Sequence, residues 1–216
     1  MEFRFRKTDN CLRKLKKYIY LISPQKIKGK NFYKQLNRLL KTNRVKYFQL
    51  RLKKIPTANL IKISKKIKKI VKKNNVKFLI NDKPLVAKIV GADGCHIGQK
   101  DIDLISARKI LGKNKIIGVT CHNSKKLALK AKKNGASYIA FGAFFKSATK
   151  KTAFKANIPI LRWAKKKINM PIVAIGGINS SNYNKILSNR ADYIACSNYV
   201  WSNKKKDPVS AINKFK

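Results

Sequence analysis

The sequence predicts an α/β protein built as a single closed (β/α)8 (TIM) barrel. Three observations carry that reading. Short β-rich runs alternate with longer amphipathic stretches along almost the whole chain. The runs are nearly continuous in apolar residues, as in a parallel sheet covered by helices. No Gly-x-Gly-x-x-Gly opens a helix after the first run, which disfavours a doubly wound open sheet. Eight units in 216 residues lie toward the lower end of the size range of this barrel.

The strands are expected, in order, at Tyr18–Ile22, Val45–Arg51, Val76–Asn81, Gly94–Ile97, Ile116–Thr120, Tyr138–Gly142, Ile172–Gly176 and Tyr193–Cys196. Their helical partners are expected near 30–42, 57–73, 83–90, 103–111, 124–134, 157–168, 180–188 and 207–215. The second helix shows the pattern best. Leu60, Ile63, Ile67 and Ile70 recur at helical spacing, and the lysines at 62, 65, 66, 68, 69, 72 and 73 fall on the other face or its flanks. Residues 1–16 read as a basic N-terminal extension and 17–216 as the barrel domain, with no linker or low-complexity break.

Composition narrows the function classes. Lys and Arg number 53 against 8 Asp and Glu, a formal net charge of +45, and 44% of residues are hydrophobic. That apolar share supports a substantial core rather than wholesale disorder. Charge of this size attracts anions, phosphorylated small molecules included. The lysines are spread along the chain and suit solvated helix faces, and no zinc finger, RNA-binding signature or arginine-rich strip points to specific nucleic-acid binding. No apolar run approaches the ~20 residues of a membrane span. The basic Met1–Lys17 stretch is not followed by a signal-peptide core. Cys11, Cys95, Cys121 and Cys196 stand far apart with no Cys-x-x-Cys, as expected of a reduced, cytoplasmic protein.

The scarce carboxylates are the more informative charges. Four of the seven Asp (Asp82, Asp93, Asp101 and Asp103) lie within 22 residues. Asp93 and Asp103 suit turns or helix caps. Asp82 and Asp101 fall after the third and fourth strands, where oxygen ligands from adjacent strand ends suit a divalent cation such as Mg²⁺. In a barrel, chemistry sits on the loops after the strands. That rim gathers Gln49, Arg51 and Lys53; Asn81 and Asp82; the Gly98–Asp101 turn; Thr120, Cys121 and His122; Ser147, Thr149 and Lys150; Gly176-Gly177-Ile178; and Ser197-Asn198. The Gly-Gly turn, read as leading into a helix, and the Ser-Asn pair occupy the frequent phosphate position after strands 7 and 8. Arg51 is the stronger candidate for diphosphate, because its planar fork binds two oxygens at once. His96 reads as a structural histidine inside an apolar strand. No Ser/His/Asp or Cys/His triad is present.

Taken together these segments resemble the thiamine-phosphate synthase family. The matching stretches are YIYLIS (18–23), QLRLK (49–53), FLIND (78–82), ADGCHIGQKD (92–101), IGVTCH (117–122), YIAFGAFFKSATK (138–150) and PIVAIGGI (171–178), running in order from about residue 18 to residue 200. The resemblance implies a (β/α)8 barrel that joins 4-amino-2-methyl-5-(diphosphooxymethyl)pyrimidine to a thiazole phosphate, giving thiamine monophosphate and pyrophosphate. It implies Gln49, Arg51, Lys53, Asn81, Thr120 and Lys150 as pyrimidine-diphosphate contacts, and Asp82 and Asp101 as Mg²⁺ ligands. Ser147, Thr149, Gly177, Ser197 and Asn198 would hold the thiazole phosphate. Arg51, Lys53 and Lys150 would act catalytically, stabilising charge on the departing diphosphate without a protein nucleophile.

The sequence departs from the family pattern at three places. Leu52 stands where Glu is usual, Lys146 and Ser147 replace Pro and Thr at the start of the Thr-x-Thr-Lys loop, and Ser197-Asn198-Tyr199 replaces Ile/Val-Ser-Ala. The related thiazole tautomerase carries a His shortly after the sixth-strand Gly. Ala143 occupies that position here, which favours the synthase. A basic, non-enzymatic binder of anions or nucleic acid is the remaining alternative. Homo-oligomerisation is left open by the sequence.

Overall fold

The computed structural model describes residues 18–27, 29–146, 154–202 and 207–216. Its elements run β1 (Ile19–Ile22), α1 (Asn31–Leu40), β2 (Val45–Leu50), α2 (Thr57–Lys73), β3 (Lys77–Asn81), α3 (Pro84–Val90), β4 (Gly94–Ile97), α4 (Leu104–Leu111) and β5 (Ile116–His122). They continue through α5 (Lys125–Lys133), β6 (Tyr138–Phe141), α6 (Pro159–Lys167), β7 (Ile172–Ile175), α7 (Tyr183–Leu187), β8 (Tyr193–Cys196), α8 (Asn198–Trp201) and α9 (Pro208–Asn213). The eight strands are parallel and close as β1-β2-β3-β4-β5-β6-β7-β8, with Tyr20 opposite both Tyr47 and Ala195. The single (β/α)8 barrel is therefore as the sequence predicted. The proposed extension over 1–16 lies outside the described residues.

Strand alternation divides the core in two. Ile19, Leu21, Phe48, Leu50, Phe78 and Ile80 face outward and pack with the apolar stripes of the helices, Leu60, Ile67 and Val71 of α2 among them. Leu52, the departure from the family pattern, is buried in this outer layer. The intervening residues Tyr20, Ile22, Leu79, Tyr138, Ala140, Val173 and Ala195 fill the barrel, with Tyr47 and Tyr193 packed against them. Tyr138 reaches across the interior because Gly118 lies beneath its ring. A Cβ at Gly118 would fall 1.8 Å from the Tyr138 Cζ, so only glycine leaves room.

The N-terminal end of the barrel is fastened by short polar side chains just before strands. Asp93 accepts from the Phe78 N–H at 2.9 Å and pairs with Lys77 at 3.1 Å. Asp192 does the same for Ile172 at 2.9 Å and Lys165 at 2.6 Å. Ser137 accepts from the Ile117 N–H at 3.0 Å. At the other end, beyond β4, Asp103 caps α4 by accepting from Ile105 and Ser106.

With so few carboxylates available, many cations bind backbone carbonyls instead. Lys68 donates to Val90 O at the end of α3, Lys115 to Ala92 O, and Arg108 to the carbonyls of Gly112, Lys113, Lys115 and Gly135. Cations placed against helix C-terminal carbonyls also complement the helix dipole.

Candidate active site

At the opposite end, the last residues of β2, β3 and β4 bring unlike charges together. Lys53 follows β2 in an exposed position, and its Nζ lies 3.4 Å from Asp82 Oδ2. Asp82 sits one residue beyond β3 with φ of 60°, held there by its N–H donating to His96 O at 2.8 Å. That left-handed backbone is one that Asp and Asn tolerate better than most residues. Asp101 lies on the β4–α4 turn, exposed, with Oδ2 accepting from the Gly98 N–H at 2.8 Å.

The two carboxylates act on each other. Burial raises the pKa of Asp82 above its ordinary value, the Asp101 carboxyl raises it further, and Lys53 partly offsets both. This is the electrostatic situation that a bound dication relieves. Among the described residues no group of three or more His, Cys, Asp or Glu is placed to hold a metal. Asp82 and Asp101 are two hard oxygen donors after neighbouring strand ends that could hold a cation. They fit Mg²⁺, which commonly binds one or two carboxylates and takes its other ligands from water and substrate phosphates.

Gln49 lies within β2 and Arg51 directly follows it. The Arg51 N–H donates to Ser23 Oγ at 2.9 Å, and Ser23 N–H donates to Gln49 O at 2.9 Å. Ser23 O in turn accepts from Ser197 Oγ at 3.0 Å, so one buried serine ties together the ends of β1, β2 and β8. Gln49 lies inside β2 rather than after it, and is buried. Its Nε2 donates to Tyr20 Oη at 3.0 Å, Tyr20 and Tyr138 share a hydrogen bond of 2.7 Å, and His96 Nδ1 lies 2.8 Å from Tyr138 Oη. The other His96 nitrogen, Nε2, lies 2.8 Å from Thr120 Oγ1. Burial lowers the His96 pKa to about 4, with Asp101 raising it and Arg51 lowering it, so the imidazole is neutral near pH 7. Gln99 donates through Nε2 to Thr120 O.

The phosphate side of the rim differs from expectation in its local structure. Gly176 and Gly177 both have positive φ, 104° and 64°, but no helix starts beside them. The next helix, α7, begins only at Tyr183 and has five residues. The intervening turn is fixed by its asparagines: Asn182 Nδ2 donates to Gly177 O at 3.0 Å and Asn182 Oδ1 accepts from Asn179 N–H at 2.9 Å. A Cβ at Gly177 would lie 2.4 Å from Lys146 O, so the segment after β6 packs directly on it. Asn198 opens α8, a single turn with no counterpart among the expected helices.

The structure therefore brings Gln49, Arg51, Lys53, Asn81, Asp82, Asp101, Thr120, Gly177, Ser197 and Asn198 to one end of the barrel. Ser147, Thr149 and Lys150 lie outside the described residues. The sequence does not single out Tyr20, Tyr138 or Ser23, while Gln99 belongs to the rim turn expected over Gly98–Asp101. For the tyrosines the signal was their alternation with outward-facing residues in YIYLIS and YIAF. His122 and Phe154 stack with ring centroids 4.0 Å apart beside the β6 loop. No described helix is long and apolar enough to cross a membrane.

Comparison with known proteins agrees with this geometry. A family profile described as "Thiamine monophosphate synthase" matches residues 19–200. The chain is 57% identical over 201 residues to the thiamine-phosphate synthase of Pelagibacter ubique (strain HTCC1062), covering 93% of this chain and 97% of that one. It is 40% identical over 198 residues to the thiamine-phosphate synthase of Erythrobacter litoralis (strain HTCC2594), covering 90% and 92%. The solved thiamine phosphate pyrophosphorylase from Pyrococcus furiosus superposes with a TM-score of 0.82 at 28% identity, covering 94% of this chain and 95% of that one. Similarity that runs through all eight strands and includes every strand end contributing to the rim has one conclusion: the chain belongs to the thiamine monophosphate synthase family.

Proposed function

We propose that the protein is a Mg²⁺-dependent transferase of thiamine biosynthesis. It condenses 4-amino-2-methyl-5-(diphosphooxymethyl)pyrimidine with a thiazole phosphate to give thiamine monophosphate and pyrophosphate. The observation that supports this most within the family is the contact of Asp82 with Lys53 and the Asp101 carboxyl, two hard ligands and a cation at one strand-end cluster. Asp82 and Asp101 hold the metal, which when bound neutralises the diphosphate and improves it as a leaving group.

In this reading Gln49, Asn81 and Thr120 hold the pyrimidine, and Arg51, Lys53 and Lys150 take the diphosphate. Ser147, Thr149, Gly177, Ser197 and Asn198 take the phosphate of the thiazole. The bond between the pyrimidine methylene carbon and the diphosphate oxygen breaks, its electron pair leaving with pyrophosphate. The thiazole nitrogen lone pair forms the new C–N bond. Preorganised cations favour the charge that builds on the leaving oxygens, and no side chain needs to become covalently attached. Ala143, with no proton to give or take, provides no support for the tautomerase alternative. The absence of a long apolar helix among the described residues is compatible with a cytoplasmic site of action.

The test is release of pyrophosphate by purified protein. Release is expected only when the pyrimidine diphosphate, the thiazole phosphate and Mg²⁺ are all present. Undiminished release in the presence of EDTA would remove the metal from the account. No release in the full mixture would remove the transferase assignment.

A further inference from the structure

The interior chain Gln49–Tyr20–Tyr138–His96–Thr120 crosses the barrel through four consecutive hydrogen bonds of 2.7 to 3.0 Å. Tyr20 and Tyr138 are buried with a chain neighbour on either side, so keeping every buried proton donated within the chain lets the direction of one bond fix the rest. Gln49 Nε2 donates to Tyr20. Tyr20 must then donate to Tyr138, and Tyr138 to His96 Nδ1. A neutral imidazole has one N–H and one lone pair, so that proton sits on Nε2 and is donated to Thr120 Oγ1. Thr120 is left with its own O–H to donate elsewhere, and Gln49 with its carbonyl oxygen Oε1 to accept. Rotating the Gln49 amide by half a turn would reverse every bond, leaving an N–H₂ at Gln49 and lone pairs at Thr120.

We propose that this chain is a polarity relay that makes Tyr20, Tyr138 and His96 positioning residues for ligand choice, presenting an acceptor at Gln49 and a donor at Thr120 to a ring bearing an exocyclic amino group. The inference rests on the proposed function in placing a pyrimidine against Gln49 and Thr120. It adds the reason for the choice of pyrimidine. An aminopyrimidine offers N–H at its amino group and a lone pair on its ring nitrogen. The corresponding oxo compound offers a carbonyl oxygen and a ring N–H, the opposite pattern. Accepting the oxo compound would require the whole chain to reverse or would leave a buried acceptor facing an acceptor. None of the three relay residues needs to touch the reacting atoms.

Two measurements test this. Histidine ¹⁵N NMR of the free protein near pH 7, with His96→Gln used to assign the signal, is expected to show His96 protonated on Nε2 and bare on Nδ1. Protonation on Nδ1 instead would overturn the relay whatever the activity. The second measurement is the ratio of kcat/KM for the amino and 4-oxo pyrimidine diphosphates. Tyr138→Phe and Tyr20→Phe each interrupt the chain while keeping the ring, and should lower that ratio about tenfold or more. KM for the thiazole phosphate should stay unchanged in both. An unchanged ratio in folded Tyr138→Phe and Tyr20→Phe proteins would contradict the relay. A wild-type protein that turns over neither pyrimidine would contradict the proposed function, while the tautomer would still decide the direction of the chain.

Discussion

Aspartates at the two ends of this barrel are in opposite situations. At the N-terminal end, Asp93 and Asp192 each have one oxygen on a strand N–H and the other on a lysine. Their bonding is complete, and what they achieve is to fasten one strand to the next. At the C-terminal end, Asp82 pairs with Lys53 while a second carboxyl, Asp101, lies close by, and burial first and that carboxyl second raise its pKa. In a chain with only 8 acidic residues, this difference separates structural carboxylates from the pair proposed to hold the cation. Residue type alone could not have made that separation, because the environment decides it.

The largest effect expected from breaking this contrast is on catalysis. Asp82→Asn retains the side-chain shape and tolerates the φ of 60°, yet removes one anionic ligand. Steady-state assays should show a loss in kcat/KM of about 10²-fold or more, the scale on which charge-stabilising groups act. The same change should not destabilise the metal-free protein. The folded pKa of Asp82 lies above its ordinary 3.8, so folding favours its protonated form. Below that unfolded value the carboxyl is protonated in both states and carries no penalty. As pH rises through the folded pKa the carboxyl ionises in the fold at a cost in stability. At pH 7 without metal, Asp82→Asn should therefore melt at or above the wild-type temperature, and Mg²⁺ should raise the melting temperature of wild type alone. A lower Tm for metal-free Asp82→Asn would mean that this carboxylate fastens the fold as its counterparts do.

Effects on stability come next. Gly118→Ala places a methyl group where the Tyr138 ring passes, and should cost about 1–3 kcal/mol in denaturant melts, as overpacking does. Asp192→Ala leaves the Ile172 N–H without its side-chain partner and should cost about 1–3 kcal/mol. Activity per folded molecule should be unchanged, since Asp192 lies at the far end from the site. Ser124→Ala, which removes the N-cap of α5, should cost about 1 kcal/mol with no change in turnover. If Asp192→Ala abolished activity in folded protein, the division between the two ends would not hold.

Much of the architecture was legible in the sequence because strand and helix periods differ and each unit is short. The expected strands agree with the observed ones to within two residues at each end. β5 is the furthest off, running on to His122 past the expected Thr120. The single-turn α8 was not legible, since four residues display no period. The Gly176-Gly177 turn was read as the entry to a helix, because glycines there commonly serve that purpose. Asn179 and Asn182 instead build a turn of their own and delay α7 to Tyr183. The rim residues could be picked out by counting forward from strand ends. The interior tyrosines could not, because a tyrosine in an apolar strand can face either way until register assigns its side. Lysines read as solvated proved in part to hold carbonyls, Lys68 and Lys115 among them. That role leaves no trace in sequence spacing, as the partner belongs to another element.

The central claim is that the Asp82–Asp101 end of the barrel does chemistry through a divalent cation while the Asp93–Asp192 end only holds the strands. A Mg²⁺ titration of pyrophosphate release by wild type, Asp82→Asn and Asp192→Ala tests it most directly. Saturable Mg²⁺ activation is expected in wild type and Asp192→Ala, with Asp82→Asn reduced at every Mg²⁺ concentration. Equal activation of all three proteins would contradict it.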